Sequence, residues 1–277
     1  MNGQLTLFDL TRPMVKVNKP IRLIELFAGY GSQSMALRNI GADYEPWRVI
    51  EIDKYAMASY NAVHGTAFET SDIRKIGGGT LGIVEKDKYT YIMTYSWPCT
   101  DVSLAGQQLG MEEGSGTRSS LLWEVKRILT ELNEIDALPQ ILVFENVTAI
   151  HNEKNKTELV RFLSFLDELK YSTFISDLNA WDYGVAQSRD RCFGVSILGE
   201  YNYKFPEPID LKYCIEDYYE DLTEEQALQL VVKSQKALEL LERLDGEGKL
   251  EKERERPEII EKKLDGIILK HEDIYDE

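Results

Sequence analysis

Residues 21–31 read "IRLIELFAGYG", and this stretch decides the fold. A mostly apolar run leads directly into two glycines, and the residues after them, "SQSMALRNIGA", have the apolar spacing of a helix that stops at Gly41. A strand, a glycine turn and a helix in this order are typical of α/β proteins, whose parallel sheet is covered on both faces.

Strand-like and helix-like segments keep alternating along the next 180 residues. Further strands are predicted over "EPWRVIEID", "YTYIMTYSW" and "PQILVFENV", and helices over "DKYAMASYNAVHG", "SSLLWEVKRILTELNEI" and "KTELVRFLSFLDELKY". Two late strands, "STFISDLNAWDYG" and "RCFGVSIL", are spaced like a hairpin. We therefore expect a doubly wound, Rossmann-like, mostly parallel sheet over residues 21–210, preceded by an N-terminal arm over residues 1–20.

The composition changes after Pro208. Residues 211–277 contain 11 basic and 20 acidic residues. A Thr-x-x-Gln capping box at Thr223 and Gln226 opens a long predicted helix, "TEEQALQLVVKSQKALELLERL", and "PEIIEKKLDGIILKHEDIYDE" is predicted as a short final helix with a tail. These features predict an acidic, helical C-terminal extension over residues 211–277.

Composition excludes several classes of protein. The net charge is −16, so charge alone does not indicate a nucleic-acid binder, and any DNA contact would need a local basic patch or a partner. No apolar run approaches the ~18 residues of a membrane span, and no secretory signal is visible, so we expect a cytoplasmic protein without a membrane partner. Three cysteines without metal-ligand spacing predict neither a disulfide framework nor a metal site: Cys99, Cys192 and Cys214.

The glycine turn is a near miss to a dinucleotide-binding fingerprint. Gly29 and Gly31 permit a tight turn and a close approach of ligand, and Glu51 and Asp53 follow the next predicted strand, where an acid accepts hydrogen bonds from ribose. Asp72 is expected near the end of the third strand, within reach of an adenine amino group. The alternatives are a purely structural turn for the glycines and a helix cap for Asp72.

A Pro-Cys pair follows the predicted strand "YTYIMTY". Pro98 fixes the backbone before Cys99, and the polar segment after it, "TDVSLAGQQLGMEEGSGTRSS", is long enough to be a mobile lid. Cys99 is therefore either a nucleophile at the mouth of a pocket or a packed thiol at a turn.

Charged residues mark two further strand ends. Glu145 follows the apolar run "ILVF" and is expected at the carboxyl edge of the sheet, as a general acid or hydrogen-bond partner or as a cap of the next helix. Arg189 and Arg191 alternate along an extended segment, so both point to one face, suited to an anion or a carbonyl oxygen. The alternative for this pair is two surface salt bridges.

Taken together, these stretches resemble the cytosine-C5 DNA methyltransferase family, over about residues 21 to 220. The resemblance rests on four ordered motifs: F-x-G-x-G from Phe27 to Gly31, Pro98-Cys99 with Ser103, Ala105, Gly106 and Gly110 behind it, Glu145-Asn146-Val147, and Q-x-R-x-R at Gln187, Arg189 and Arg191. "SSLLWEVKRI" and "LNAWDYGVAQ" also resemble family sequence.

The resemblance implies a fold, a reaction and a set of roles. The fold is that of S-adenosylmethionine-dependent methyltransferases, and the substrate is a cytosine flipped out of double-stranded DNA, as in restriction-modification systems. Cys99 would add to cytosine C6, Glu145 would bond N3 and the exocyclic amine, and Arg191 with Arg189 would hold O2. The methyl donor, leaving as S-adenosylhomocysteine, would contact the following residues: Phe27, Gly29, Gly31, Glu51, Ile52, Asp72, Ile73, Pro98 and Leu121.

Two departures from the family pattern modify this expectation. Residues 96–100 read Ser-Trp-Pro-Cys-Thr where the family has Gly-Phe-Pro-Cys-Gln, which puts in doubt one lid contact to DNA. After residue 220 neither a target-recognition domain nor a Gly-Asn segment is recognisable, so a second polypeptide carrying recognition is expected, or a minimal single-chain enzyme. Alternative functions are a non-catalytic DNA-binding or regulatory homologue and a tRNA cytosine-C5 methyltransferase.

Overall fold

The computed structural model describes residues 12–99, 110–212, 215–218, 220–223, 226, 234–248, 250–252 and 267–269. The chain divides into two compact units, residues 1–211 and 212–277. Among the described residues, no helix is both long enough and apolar enough to cross a membrane.

The first unit is built around one six-stranded sheet with the order β2-β1-β3-β4-β6-β5. Strands β1 to β4 are parallel, whereas β6 lies between β4 and β5 and runs antiparallel to both. The strands are β1 (Ile21–Leu26), β2 (Tyr44–Ile50), β3 (Thr90–Tyr95), β4 (Ile141–Asn146), β5 (Tyr171–Asn179) and β6 (Asp190–Leu198). The mostly parallel sheet and the late hairpin predicted from sequence are confirmed.

In the part of the first unit that the structure describes, four α-helices connect the strands: α1 (Ser32–Asn39), α2 (Lys54–His64), α3 (Leu122–Glu134) and α4 (Glu153–Glu168). The buried faces of α3 and α4 pack with β1, β3 and β4 into the main core, represented by Leu129, Phe162, Met93 and Phe144. A smaller cluster of Ile141, Val195 and Ile197 packs against Val15 of the N-terminal arm, among others.

The strand order reverses between β1 and β3. β2 lies on one side of β1 and β3 lies on the other, so the connections after β1 and before β3 lead in opposite directions along the sheet. Leu26 pairs with Tyr95, and Tyr95 pairs with Phe144, so β1, β3 and β4 reach the same edge of the sheet. Ligands of open α/β sheets bind in the crevice at such a carboxyl edge. The antiparallel β6 begins at this edge with Asp190 and Arg191.

The second unit differs in part from the sequence prediction. The capping box is confirmed, since Thr223 N–H donates to Gln226 Oε1 (2.8 Å) and Gln226 N–H donates to Thr223 Oγ1 (3.3 Å). The single long helix is wrong, because Ser234 has extended backbone and precedes a separate helix, α5 (Gln235–Gly246). Of the predicted short final helix and tail, only residues 267–269 are described, and they form a strand: β8 (Ile267–Leu269) pairs antiparallel with β7 (Leu250–Lys252). The short apolar run "IIL" is compatible with a strand as well as with a helix.

Candidate active site

The turn after β1 is forced into left-handed backbone geometry. Phe27, Gly29 and Gly31 have φ values of 58°, 57° and 84°. A Cβ at position 31 would lie 2.4 Å from His64 Nε2 and 2.5 Å from a ring carbon of Tyr60. Only glycine fits there, because both the positive φ and the space exclude a side chain.

Glu51, directly after β2, is tied to this turn. Its Oε2 accepts a hydrogen bond from Gly29 N–H (2.9 Å), and its Oε1 accepts one from Asp53 N–H (2.8 Å). Asp53 is the N-cap of α2, whose first-turn N–H groups bond to its carboxylate. The neighbouring Ile52 is 62% exposed. The ends of β1 and β2 therefore present a glycine turn, a carboxylate and an apolar side chain together.

A second carboxylate under the turn was missed from sequence. Glu25 on β1 is fully buried, where it accepts hydrogen bonds from Tyr60 Oη–H (2.5 Å) and from Ser34 N–H of α1 (3.3 Å). Burial raises the pKa of Glu25 from 4.5 to about 7, and the two hydrogen bonds only partly oppose this. No local pattern marks Glu25 as buried, since β1 also contains Arg22.

Asp72 does not directly follow a strand, and its alternative role as a helix cap is confirmed. Ser71 N–H donates to Glu51 O (2.8 Å), which places the segment beside the end of β2. Asp72 caps the short 3₁₀ turn Ile73–Lys75 and forms an ion pair with Arg74 (2.7 Å). The Arg74 hydrogen bonds hold the pKa of Asp72 below its ordinary value. Ile73 is buried in the main core.

The loop after β3 carries Cys99 and is anchored from two sides. Ser119 Oγ–H donates to Pro98 O (2.8 Å), and Asn146 Nδ2–H, at the end of β4, donates to Trp97 O (3.0 Å). Cys99 is half-buried and packs against the main core, as do Phe27 and Leu121. Residues 100–109, which include Thr100 and the first half of the expected lid, lie outside the described residues.

Glu145 and Arg191 form an ion pair across β4 and β6. Arg191 Nε lies 2.9 Å from Glu145 Oε1, with side chains 23% and 27% exposed respectively. The pairing of Glu145 with Phe193 explains the contact, because Arg191 lies two residues along β6 on the same face. Arg189 is exposed, and its backbone is held by Ala180 N–H and by Asn179 Oδ1.

The predicted site residues thus come from connected strand ends. The glycine turn with Glu51, the loop of Cys99, the carboxylate of Glu145 and the start of β6 all lie at one edge of the sheet, at which the strand order reverses between β1 and β3. Asn146 and Ser119 hold the Cys99 loop and were not singled out from sequence, although Asn146 is part of the "ENV" motif. This arrangement brings a thiol, an acid and a guanidinium to the same sheet edge as the glycine turn.

Comparison with known proteins agrees with this geometry. The model of the family described as C-5 cytosine-specific DNA methylase matches residues 21–266, which extends beyond the limit near residue 220 expected from sequence. Type II methyltransferase M2.ScrFI of Lactococcus lactis subsp. cremoris is 31% identical over 258 residues, covering 74% of this chain and 69% of the relative. Type II methyltransferase M.HhaI of Haemophilus parahaemolyticus is 33% identical over 202 residues, covering 71% and 56%.

The orphan methyltransferase M.SssI of Spiroplasma monobiae is 33% identical over 236 residues, 66% of this chain and 61% of the relative. The chain therefore spans 56 to 69% of the length of these three relatives. Among solved structures, the Entamoeba histolytica methyltransferase EhMeth has a TM-score of 0.60 at 17% identity, covering 75% of this chain and 62% of that one. This last likeness concerns the fold. From the family match over residues 21–266 and the ordered motifs at one sheet edge, the chain belongs to the C-5 cytosine-specific DNA methylase family.

Proposed function

We propose that this chain transfers a methyl group from S-adenosylmethionine to C5 of cytosine in double-stranded DNA, with residues 21–210 as the catalytic domain. The observation that supports the proposal is that the strands before the glycine turn, the Cys99 loop and the Glu145–Arg191 ion pair all reach one edge of the sheet. Family membership supplies the reaction class.

The residues after β1 and β2 fit the methyl donor. The turn at Gly29 and Gly31 leaves no side chain between backbone and ligand. Each carboxylate oxygen of Glu51 accepts one backbone N–H and has a further lone pair for a ribose hydroxyl. Exposed Ile52 offers an apolar surface to an adenine ring. The remaining donor contacts proposed are Phe27, Asp72, Ile73, Pro98 and Leu121.

The catalytic roles follow from the chemistry of the side chains. Bound S-adenosylmethionine supplies the electrophilic methyl group. The Cys99 thiolate adds to cytosine C6, which makes C5 nucleophilic, and elimination of the thiolate after loss of the C5 proton regenerates the enzyme. Glu145 stabilises the adduct through N3 and the exocyclic amine, and Arg191, oriented by Glu145, holds O2 with Arg189 beside it.

DNA binding by this chain has to overcome the repulsion between DNA phosphates and an acidic protein. The target carbon lies within the stacked duplex, so the cytosine is flipped out to reach Cys99. Because the net charge is −16 and DNA affinity depends on phosphate contacts, we propose that a local basic surface or a second polypeptide supplies those contacts.

Methyl transfer from a radiolabelled donor tests the proposal. The purified chain is incubated with mixed-sequence duplex DNA, with and without the product of the adjacent gene, and label is sought in 5-methylcytosine. We expect label with the wild type and with Cys214→Ser, a thiol control, but none with Cys99→Ala. Absence of label under both conditions contradicts the proposal.

Covalent trapping separates catalysis from binding. Duplex DNA containing 5-fluorocytosine should form a stable adduct that requires both Cys99 and the donor, because fluorine blocks elimination. A DNA complex without an adduct would indicate a non-catalytic homologue. Preferred labelling of tRNA in competition with duplex DNA would instead indicate an RNA methyltransferase.

A further inference from the structure

Three potential metal ligands meet on β5, β6 and the turn before α4. Asp177 and Cys192 are directly paired across β5 and β6, so their side chains share one face. His151, which ends the 3₁₀ turn Thr148–His151, reaches the same point, and its Nε2 lies 3.0 Å from Asp177 Oδ1. One nitrogen, one oxygen and one sulfur ligand atom all lie within 4.8 Å of one another.

Burial divides this cluster into a closed and an open side. Cys192 is fully buried, whereas the side chains of His151 and Asp177 are 40% and 49% exposed. A half-exposed His–Asp contact by itself contributes little stability. Asp177 is hydrogen-bonded to the Cys192 thiol as well as to His151, so all three groups converge on one point.

We propose that His151, Asp177 and Cys192 bind a divalent ion of the zinc class. Thiolate, imidazole and carboxylate are the donors that Zn²⁺ takes, at about 2.0 to 2.3 Å, which puts tetrahedral ligand atoms roughly 3.3 to 3.8 Å apart. The His151–Asp177 distance of 3.0 Å would lengthen slightly and the other separations, all within 4.8 Å, would adjust by small side-chain movements. The exposed side leaves the fourth position to water.

Binding of the divalent ion releases the proton of the Cys192 thiol. In the metal-free protein the Cys192 thiol is protonated, since burial and the nearby Asp177 raise its pKa well above the ordinary value. The ion replaces this proton, which passes to solvent, and the sulfur, a carboxylate oxygen and a ring nitrogen each donate a lone pair.

The three proposed ligands are not among the residues proposed for methyl transfer. Successive residues of a strand point to opposite faces, so Cys192 lies on the face away from the Arg191–Glu145 ion pair. The ion would link β5, β6 and the segment after β4, and its role is structural. Sequence spacing did not reveal it, because the ligands are distant along the chain and only one is a cysteine.

Titration of the full chain with Co²⁺, followed by absorption, tests the proposal without reference to activity. Wild type should give a thiolate-to-cobalt charge-transfer band and the visible bands of tetrahedral cobalt, both abolished by competing Zn²⁺. Cys192→Ser should lose the charge-transfer band. His151→Ala, a change at an exposed side chain that does not disturb the core, should weaken binding at least about tenfold.

Matched thiol controls identify the ligand. Cys99→Ser and Cys214→Ser should retain the charge-transfer band at wild-type affinity. The proposal is overturned if wild type gives no such band, if the band persists in Cys192→Ser, or if His151→Ala binds Co²⁺ as tightly as wild type.

Discussion

The buried Glu25 carboxyl should make the stability of the first unit depend on pH. Glu25 is fully buried on β1, bonded to Tyr60 and to Ser34 N–H, and its pKa is raised from 4.5 to about 7. Replacing it with Gln keeps the shape and an acceptor oxygen but removes the titration. The Glu25→Gln variant therefore isolates the energetic consequence of this one group.

The sign and size follow from linkage. Below about pH 4.5 the carboxyl is protonated in both folded and unfolded chains, and its contribution to stability is fully present. Between about pH 4.5 and pH 7 the unfolded chain loses this proton while the folded chain keeps it, so stability falls as pH rises. A difference of about 2.5 pH units corresponds to about 3 kcal/mol.

Urea unfolding followed by tryptophan fluorescence measures this effect. All four tryptophans belong to the first unit: Trp47, Trp97, Trp123 and Trp181. The free energy of unfolding of Glu25→Gln is compared with that of wild type at each pH, so that the contributions of the other carboxylates cancel. Relative to wild type, the variant should become more stable by about 3 kcal/mol between about pH 4.5 and pH 7. Glu69→Gln, an exposed control, should show no such shift. A pH-independent difference for Glu25→Gln would refute the reasoning.

Three further changes test the site. In urea unfolding, Gly31→Ala should destabilise the first unit by about 2 to 4 kcal/mol through backbone strain and steric overlap. The control Gly41→Ala should lower the free energy of unfolding by only about 1 kcal/mol, because Gly41 has φ 68° but a Cβ there would meet no atom within 4 Å. Asn146→Ala removes the donor to Trp97 O and should lower kcat for methyl transfer while KM for DNA stays unchanged; a change in KM alone would argue against a role in holding the Cys99 loop. Arg191→Lys should lower kcat/KM about 100-fold, since an ammonium cannot reproduce the planar contact with Glu145, and equal activity would contradict the proposed role.

The sequence predicted the sheet and its edge because local patterns specify them. Apolar runs gave the strands, and the residues directly after those runs had to lie at the carboxyl edge. Glu51, Cys99 and Glu145 were placed by this rule alone. Asp72 lies outside this rule, because no strand directly precedes it and its segment bonds to Glu51, just after β2, through Ser71.

Contacts between distant residues could not be predicted in this way. Glu25 meets Tyr60 across 35 positions, and nothing local distinguishes a buried acid from one at a strand end. The His151–Asp177 contact spans 26 positions and depends on the register of β5 and β6. Register is a tertiary property, fixed by the packing of whole faces rather than by any short motif.

The Glu145–Arg191 ion pair is better explained by chemistry than by folding. Its side chains are about one quarter exposed, and pairs in such surroundings contribute at most about 1 kcal/mol. Apolar residues at these two positions would extend the cluster of Ile141, Val195 and Ile197 and stabilise the sheet at least as well. The charges instead lie at the sheet edge that also carries the Cys99 loop and the glycine turn. An ion pair of little value to the fold at this edge supports the role in holding cytosine that we propose for it.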